Sequence, residues 1–127
     1  ELSISRTPYV QFQSDRDSIK EAKRIIDSQL ALAPGCEELA RQVNISTSKL
    51  TKGFSSLFGT SVHAYVIDQR LEKAASLLLE SNLNVSQVAI LVGYSKASNF
   101  AAAFKRKYGV NPKTIKQKLR LDKRKKN

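Results

Sequence analysis

The chain has 127 residues, enough for one compact domain or two very small ones, and 41% of them are hydrophobic. No apolar run approaches membrane-spanning length and no signal-peptide pattern opens the chain; a single cysteine, Cys36, excludes an internal disulfide framework and fits a reducing cytoplasm. The formal net charge is +11, and it is unevenly spread: residues 1–80 carry ten Lys or Arg against ten Asp or Glu, whereas residues 81–127 carry twelve against one, Asp122. Such an asymmetry points to a polyanion, most often nucleic acid, with a solvated basic surface as the alternative. The chain contains no Met and begins at Glu1, so it is expected to be a segment of a longer protein.

Residues 1–17 show no sustained period and contain Pro8, which reads as a linker or the remnant of a preceding domain. Ser18 and Glu21 have capping-box spacing, and Ile19, Ala22, Ile26 and Leu30 recur at helical intervals, so a first helix is expected from about Ser18 to Ala31. Pro34-Gly35 breaks it. Glu37 to Val43 places Leu39, Ala40 and Val43 on one face, with two acids in the first turn, where the helix dipole favours them. Asn44-Ile45-Ser46 is a turn in which Ser46 can N-cap a helix from Thr47 to Phe58, and Gly59 suits a left-handed C-terminal cap. Two short helices about a tight turn with one buried hydrophobe make a helix-turn-helix.

Residues 61–81, SVHAYVIDQRLEKAASLLLES, lack Gly and Pro and predict a long helix. Val62, Tyr65 and Val66 share one face, while Leu71, Ala74, Ala75 and Leu78 lie roughly opposite. A helix whose apolar side switches near Gln69 and Arg70 has two bodies to pack against. Beyond it the earlier wording returns. Val88-Ala89-x-x-Val92-Gly93-Tyr94-Ser95 repeats Leu39-Ala40-x-x-Val43-Asn44-Ile45-Ser46 at an offset of 49. Ser98, Phe100, Phe104, Tyr108 and Gly109 repeat Ser48, Leu50, Phe54, Phe58 and Gly59 at an offset of 50, so the extra residue falls in the turn. Asn111-Pro112 starts a last helix to about Leu121, and Lys123 to Lys126 form a basic tail. The fold class is therefore all-α: two helix-turn-helix subdomains, 18–60 and 82–121, joined by a long linker helix, about seven helices in all.

The pattern resembles the AraC/XylS family of bacterial transcription regulators over roughly residues 18–120. The likeness is carried by Glu38-Leu39-Ala40 through Phe54 to Gly59, then by Arg70-Leu71-x-x-Ala74-x-x-Leu77-Leu78. Its most specific part is Val88-Ala89-x-x-Val92-Gly93-Tyr94-Ser95-x-x-Ser98-x-Phe100-x-x-x-Phe104-Lys105-x-x-x-Gly109-x-x-Pro112. The wording around Lys49-Leu50-x-x-Gly53-Phe54 and Ala101 to Arg106 is similar to the siderophore-sensing branch. The resemblance implies sequence-specific binding to double-stranded promoter DNA in the bacterial cytoplasm, without catalysis or cofactor, by an activator whose further partner is RNA polymerase. It also implies an effector, a ferric siderophore in that branch, bound by a domain outside this chain. A DNA-binding module fused to a repair alkyltransferase and a helical protein-interaction module are the competing readings.

Matching the family's motif puts Ser48, Thr51, Lys52 and Ser55 on the base-reading face of the first unit, and Ala97, Ser98 and Ala102 on that of the second, with Asn99 beside them as a further base-reading candidate. Lys52 could donate to guanine O6 and N7, and Asn99 could pair bidentately with adenine; alanine can do little beyond touching a thymine methyl group. Lys49, Lys96, Lys105, Arg106, Lys107 and Lys113 are the candidates for backbone phosphates, with Lys116 nearby. The expectation is that the first unit supplies most discrimination and the second backbone affinity and shape readout. About 20 helical residues span about 30 Å, near the 34–36 Å between successive major grooves. His63, the only histidine, is expected to be partly buried or a cap, and Cys36 a small residue at a helix start. Phe54, Phe58, Phe100, Phe104 and Tyr108 read as core rather than as base-stacking platforms.

Overall fold

A computed structural model describes residues 13–118. Among them are six α-helices, one short 3-10 turn, a final helical stretch over residues 112–118, and no strand. The helices are α1 (Gln13–Ser28), α2 (Cys36–Gln42), α3 (Thr47–Phe58), α4 (Val62–Glu80), α5 (Val85–Leu91) and α6 (Ala97–Tyr108), with the 3-10 turn at Leu30–Leu32 after α1. The all-α expectation holds. The basic tail, the start of the chain and the end of the last helix lie outside the described residues.

The chain divides into two compact units between Ile67 and Asp68, within two residues of the point where the apolar face of α4 switches. In the first unit Ile19, Ala22 and Ile26 of α1, Leu39 and Ala40 of α2, Val43, and Leu50 and Phe54 of α3 close on Val62 of α4. Phe54 is fully buried and meets Phe58 and Tyr65 edge-on, with ring centroids 4.8 and 5.6 Å away. In the second unit Leu71, Ala74 and Leu78 of α4 are buried, as are Val88 and Ala89 of α5, Val92, and Phe100, Ala103 and Phe104 of α6. Three ring contacts at 5.6, 5.6 and 4.7 Å link Tyr94, Phe100, Phe104 and Tyr108.

Three sequence expectations need correcting: Tyr108, expected in the core, is exposed at the end of α6, and the bounds of α1 and the place of His63 differ as well. Helix α1 is helical already at Gln13, so Ser18 lies inside it rather than capping it. The extra turn carries no apolar period to announce it; it is polar, with Gln13 donating to Asp17 at 3.1 Å and Asp15 in the first turn. At the other end the helix stops at Ser28, whose hydroxyl donates to the Ile25 carbonyl at 2.9 Å, and Leu30 reaches the core from the 3-10 turn instead. His63 is exposed on the first turn of α4; the cap there is Ser61, whose hydroxyl accepts from the Ala64 N–H at 3.0 Å.

The repeat is reproduced at the level of single backbone hydrogen bonds. Around the first turn the N–H groups of Val43, Asn44 and Ile45 donate to the carbonyls of Leu39, Arg41 and Ala40. Around the second, those of Val92, Gly93 and Tyr94 donate to Val88, Ile90 and Ala89, every partner shifted by 49. The same turn position takes positive φ in both, 60° at Asn44 and 108° at Gly93, and Asn and Gly are the residues that accept it most readily. Gly59 and Gly109 then end α3 and α6 in the left-handed region, as expected.

Candidate nucleic-acid interface

Helix α3 turns Leu50, Gly53 and Phe54 inward. At about 100° per residue, Ser48, Lys52 and Ser55 fall within about 60° of arc on the opposite side, and all three are exposed. Thr51 flanks this row, half-buried, with its hydroxyl donating to the Ser48 carbonyl at 3.2 Å. Lys49 is on the other flank, and its ammonium lies 3.2 Å from the carboxylate of Asp15, a buried acid of α1. The helix begins as the sequence implied: Ser46 accepts from the Lys49 N–H at 3.1 Å.

In α6 the same geometry presents different chemistry. Phe100, Ala103 and Phe104 face inward, so the outward row is Ser98, Ala102 and Lys105, each exposed. Alanine stands where α3 has Lys52, and the cation comes one turn later. Asn99 occupies the position of Lys49 and is exposed, as are Ala97, Lys96, Arg106 and Lys113. The extra residue of the turn moves Ser95 off the cap position. Lys96 takes its place with extended backbone and no side-chain cap bond. Ala97, Ser98 and Ala101 border an open groove of about 600 Å³ whose other walls include Val85, Pro112 and Lys113.

Two basic residues of this region are held by the fold. Lys107 pairs with Asp68 of α4 and lies 4.0 Å from Glu72; the hydrogen bond to Asp68, partly offset by desolvation, raises its pKa above the ordinary value. Lys116 donates to the carbonyls of Ser81 and Leu78 at 2.8 and 3.3 Å, placing a positive charge on the carbonyl end of α4. Asp15 leaves no mark in the sequence pattern, because the turn that carries it has no apolar period. The start of α5 does carry a sequence signal: Asn84 and Gln87 have capping-box spacing and form the reciprocal box.

Residues 39–118 match the helix-turn-helix domain family. The structure is similar to the DNA-binding domain of AdpA, a global transcriptional factor solved in complex with a target DNA. The TM-score is 0.78 at 25% identity, covering 83% of this chain and 95% of that one. The chain belongs to the AraC/XylS helix-turn-helix family. Among the curated relatives of this AraC-type domain is the transcriptional regulator AlkR of Acinetobacter baylyi, 41% identical over 81 residues, which are 64% of this chain and 26% of AlkR. Another is the xylose operon regulatory protein of Escherichia coli, 34% identical over 77 residues, 61% of this chain and 20% of that protein. The first curated relatives are covered over 20–38% of their length, so the chain spans well under half of them. An AraC-type helix-turn-helix domain is a DNA-binding domain, and α3 and α6 are the second helices of its two helix-turn-helix units, the place that a recognition helix takes.

Proposed function

We propose that the two units of this domain divide the work of DNA recognition. The first reads base edges through the outward row of α3, Ser48, Lys52 and Ser55, with Thr51 beside it. The second supplies backbone attraction from Lys96, Lys105, Arg106 and Lys113, and Asn99 is its one candidate for a bidentate base contact. Lys107 and Lys116 serve the fold in this reading. The observation that carries it is the contrast between Lys52 and Ala102 at matching outward positions. The two recognition helices take successive major grooves of a promoter, and the regulator is an activator that meets RNA polymerase. An effector acts on a part of the protein outside this chain. The wording around Gly53-Phe54 and Ala101 to Arg106 favours a ferric siderophore as that effector, and the single cysteine, Cys36, favours a cytoplasmic regulator.

Selection of bound DNA from a random pool, followed by salt titrations on the selected and an unselected duplex, tests the division. Lys52→Ala should weaken the selected site by about 1–3 kcal/mol and random DNA much less. Lys105→Ala with Arg106→Ala should weaken both duplexes alike and flatten the slope of log affinity against log salt by nearly two, at about 0.9 per phosphate. Equal loss of discrimination from both changes would sink the division of labour.

A further inference from the structure

Lys49 stands at the third position of the recognition helix α3, one residue after the exposed Ser48, with nearly half of its side chain in solvent. By charge and place it should attract phosphate. Yet its ammonium is 3.2 Å from Asp15, whose side chain is only 10% exposed. A carboxylate that has lost its water is strongly destabilised if its cation leaves, whereas an exposed ammonium has many alternatives. The pair is therefore held from the Asp15 side. At 3.2 Å the pair acts on a nearby phosphate as a dipole rather than as a lone cation, so its pull is weaker and falls off faster with distance. The matching position of the second unit is the neutral Asn99, so each recognition helix ends up without net charge at this point. One does so by residue type, the other by pairing.

We infer that Asp15 is a specificity-determining residue for DNA binding. It holds Lys49 away from the phosphate backbone and so suppresses attraction to DNA of any sequence. Its effect runs through Lys49 and is therefore one of positioning and charge masking; Asp15 itself needs no contact with DNA. The inference rests on the reading that α3 faces DNA.

The test uses the selected and the random duplex, each titrated with salt, and circular dichroism to confirm folding. Asp15→Asn should steepen the salt slope by up to about 0.9 on both duplexes, tighten random DNA more than the selected site, and so lower the discrimination ratio. Lys49→Gln alone should leave the slope of the wild-type chain unchanged, and the double variant should restore that slope. If Asp15→Asn does not fold, Lys49→Gln still decides: a slope flattened by about 0.9 means that Lys49 already touches a phosphate and overturns the inference. An unchanged slope in a folded Asp15→Asn chain overturns it as well. Failure of the underlying reading looks different, because Lys52→Ala on the outward row of α3 would then leave affinity for the selected duplex unchanged.

Discussion

The two recognition helices are one backbone design carrying two kinds of chemistry. Helices α2 and α5 have 7 residues each, α3 and α6 have 12 each, and the turn hydrogen bonds correspond one for one. The inward residues differ little in character: Leu50, Gly53 and Phe54 against Phe100, Ala103 and Phe104. The outward rows differ almost wholly. Ser48, Lys52 and Ser55 offer donors and acceptors along a full row, whereas Ser98, Ala102 and Lys105 put an inert methyl group in the middle and a cation at the end. Burial constrains the inward face in volume and polarity, so two units that build the same turn keep the same kind of core. The outward face has no packing duty and is free to follow its ligand.

The cores offer the largest test of that sameness. Phe54 and Phe104 are both fully buried and sit at matching positions. Phe54→Ala and Phe104→Ala should each cost about 3–5 kcal/mol, read as loss of amide protection within the variant's own unit. A cost near zero for either would show that its unit is not built on the shared core. The helix starts give a smaller effect, opposite in sign between the units. Ser46→Ala removes the cap of α3 and should destabilise the first unit by about 1 kcal/mol. Lys96→Ser places a capping residue on backbone that is already extended, with φ −127° and ψ 128°, and should stabilise the second unit by up to about 1 kcal/mol. If Lys96 also meets a phosphate, the same variant flattens the salt slope by about 0.9. A less stable second unit in Lys96→Ser would mean that the turn with its extra residue has a geometry no cap can use.

The fold was legible in the sequence wherever burial imposes a period. Leu39, Ala40, Val43, Leu50 and Phe54, and their counterparts Val88, Ala89, Val92, Phe100 and Phe104, fixed both units and the turn between each pair of helices. Ser46, Gly59 and Gly109 announced their caps because few residue types can fill those places. The first turn of α1 was hidden because its stability comes from polar pairing, Gln13 with Asp17 and Asp15 with Lys49, and polar pairs have no periodic signature. The candidate interface was half legible. Helical geometry gives the outward rows from sequence alone, but only coordinates show that Lys49, Lys107 and Lys116 are engaged by Asp15, Asp68 and the end of α4. A lysine in a basic segment looks the same on paper whether it faces a carboxylate in the fold or open solvent.

Alkaline pH separates the two units by the smallest effect. In the first unit Tyr65 donates to Asp27 at 2.6 Å, and Lys23 lies 3.3 Å from the same carboxylate and over the rings of Phe58 and Tyr65. Burial first, then the bond to Asp27, raises the Tyr65 phenol above its ordinary 10.0; the bond to Tyr65, opposed by desolvation, raises Lys23 above 10.5. Both groups hold their proton more tightly folded than unfolded. Their contribution is therefore complete below about pH 10 and is lost as pH climbs through the raised folded-state values, where the unfolded chain has already released its protons. In the second unit Lys107 is raised mainly through Asp68, and Tyr94 and Tyr108 mainly through burial, while Lys107 and Tyr108 also act on each other with the ammonium 5.4 Å from the ring centroid. Tyr65→Phe keeps the ring that packs on Phe54 but removes the hydroxyl on which the first cluster turns, so protection in the first unit should fall less steeply between about pH 9 and about pH 11. Asp68→Asn should flatten the second unit only in part, because burial still holds the two phenols. Hydrogen exchange resolved by residue across that range reads both at once. A first unit equally steep with and without the Tyr65 hydroxyl would leave its alkaline sensitivity to some other group, and the contrast between a cluster that turns on one hydroxyl and phenols held mainly by burial would fall.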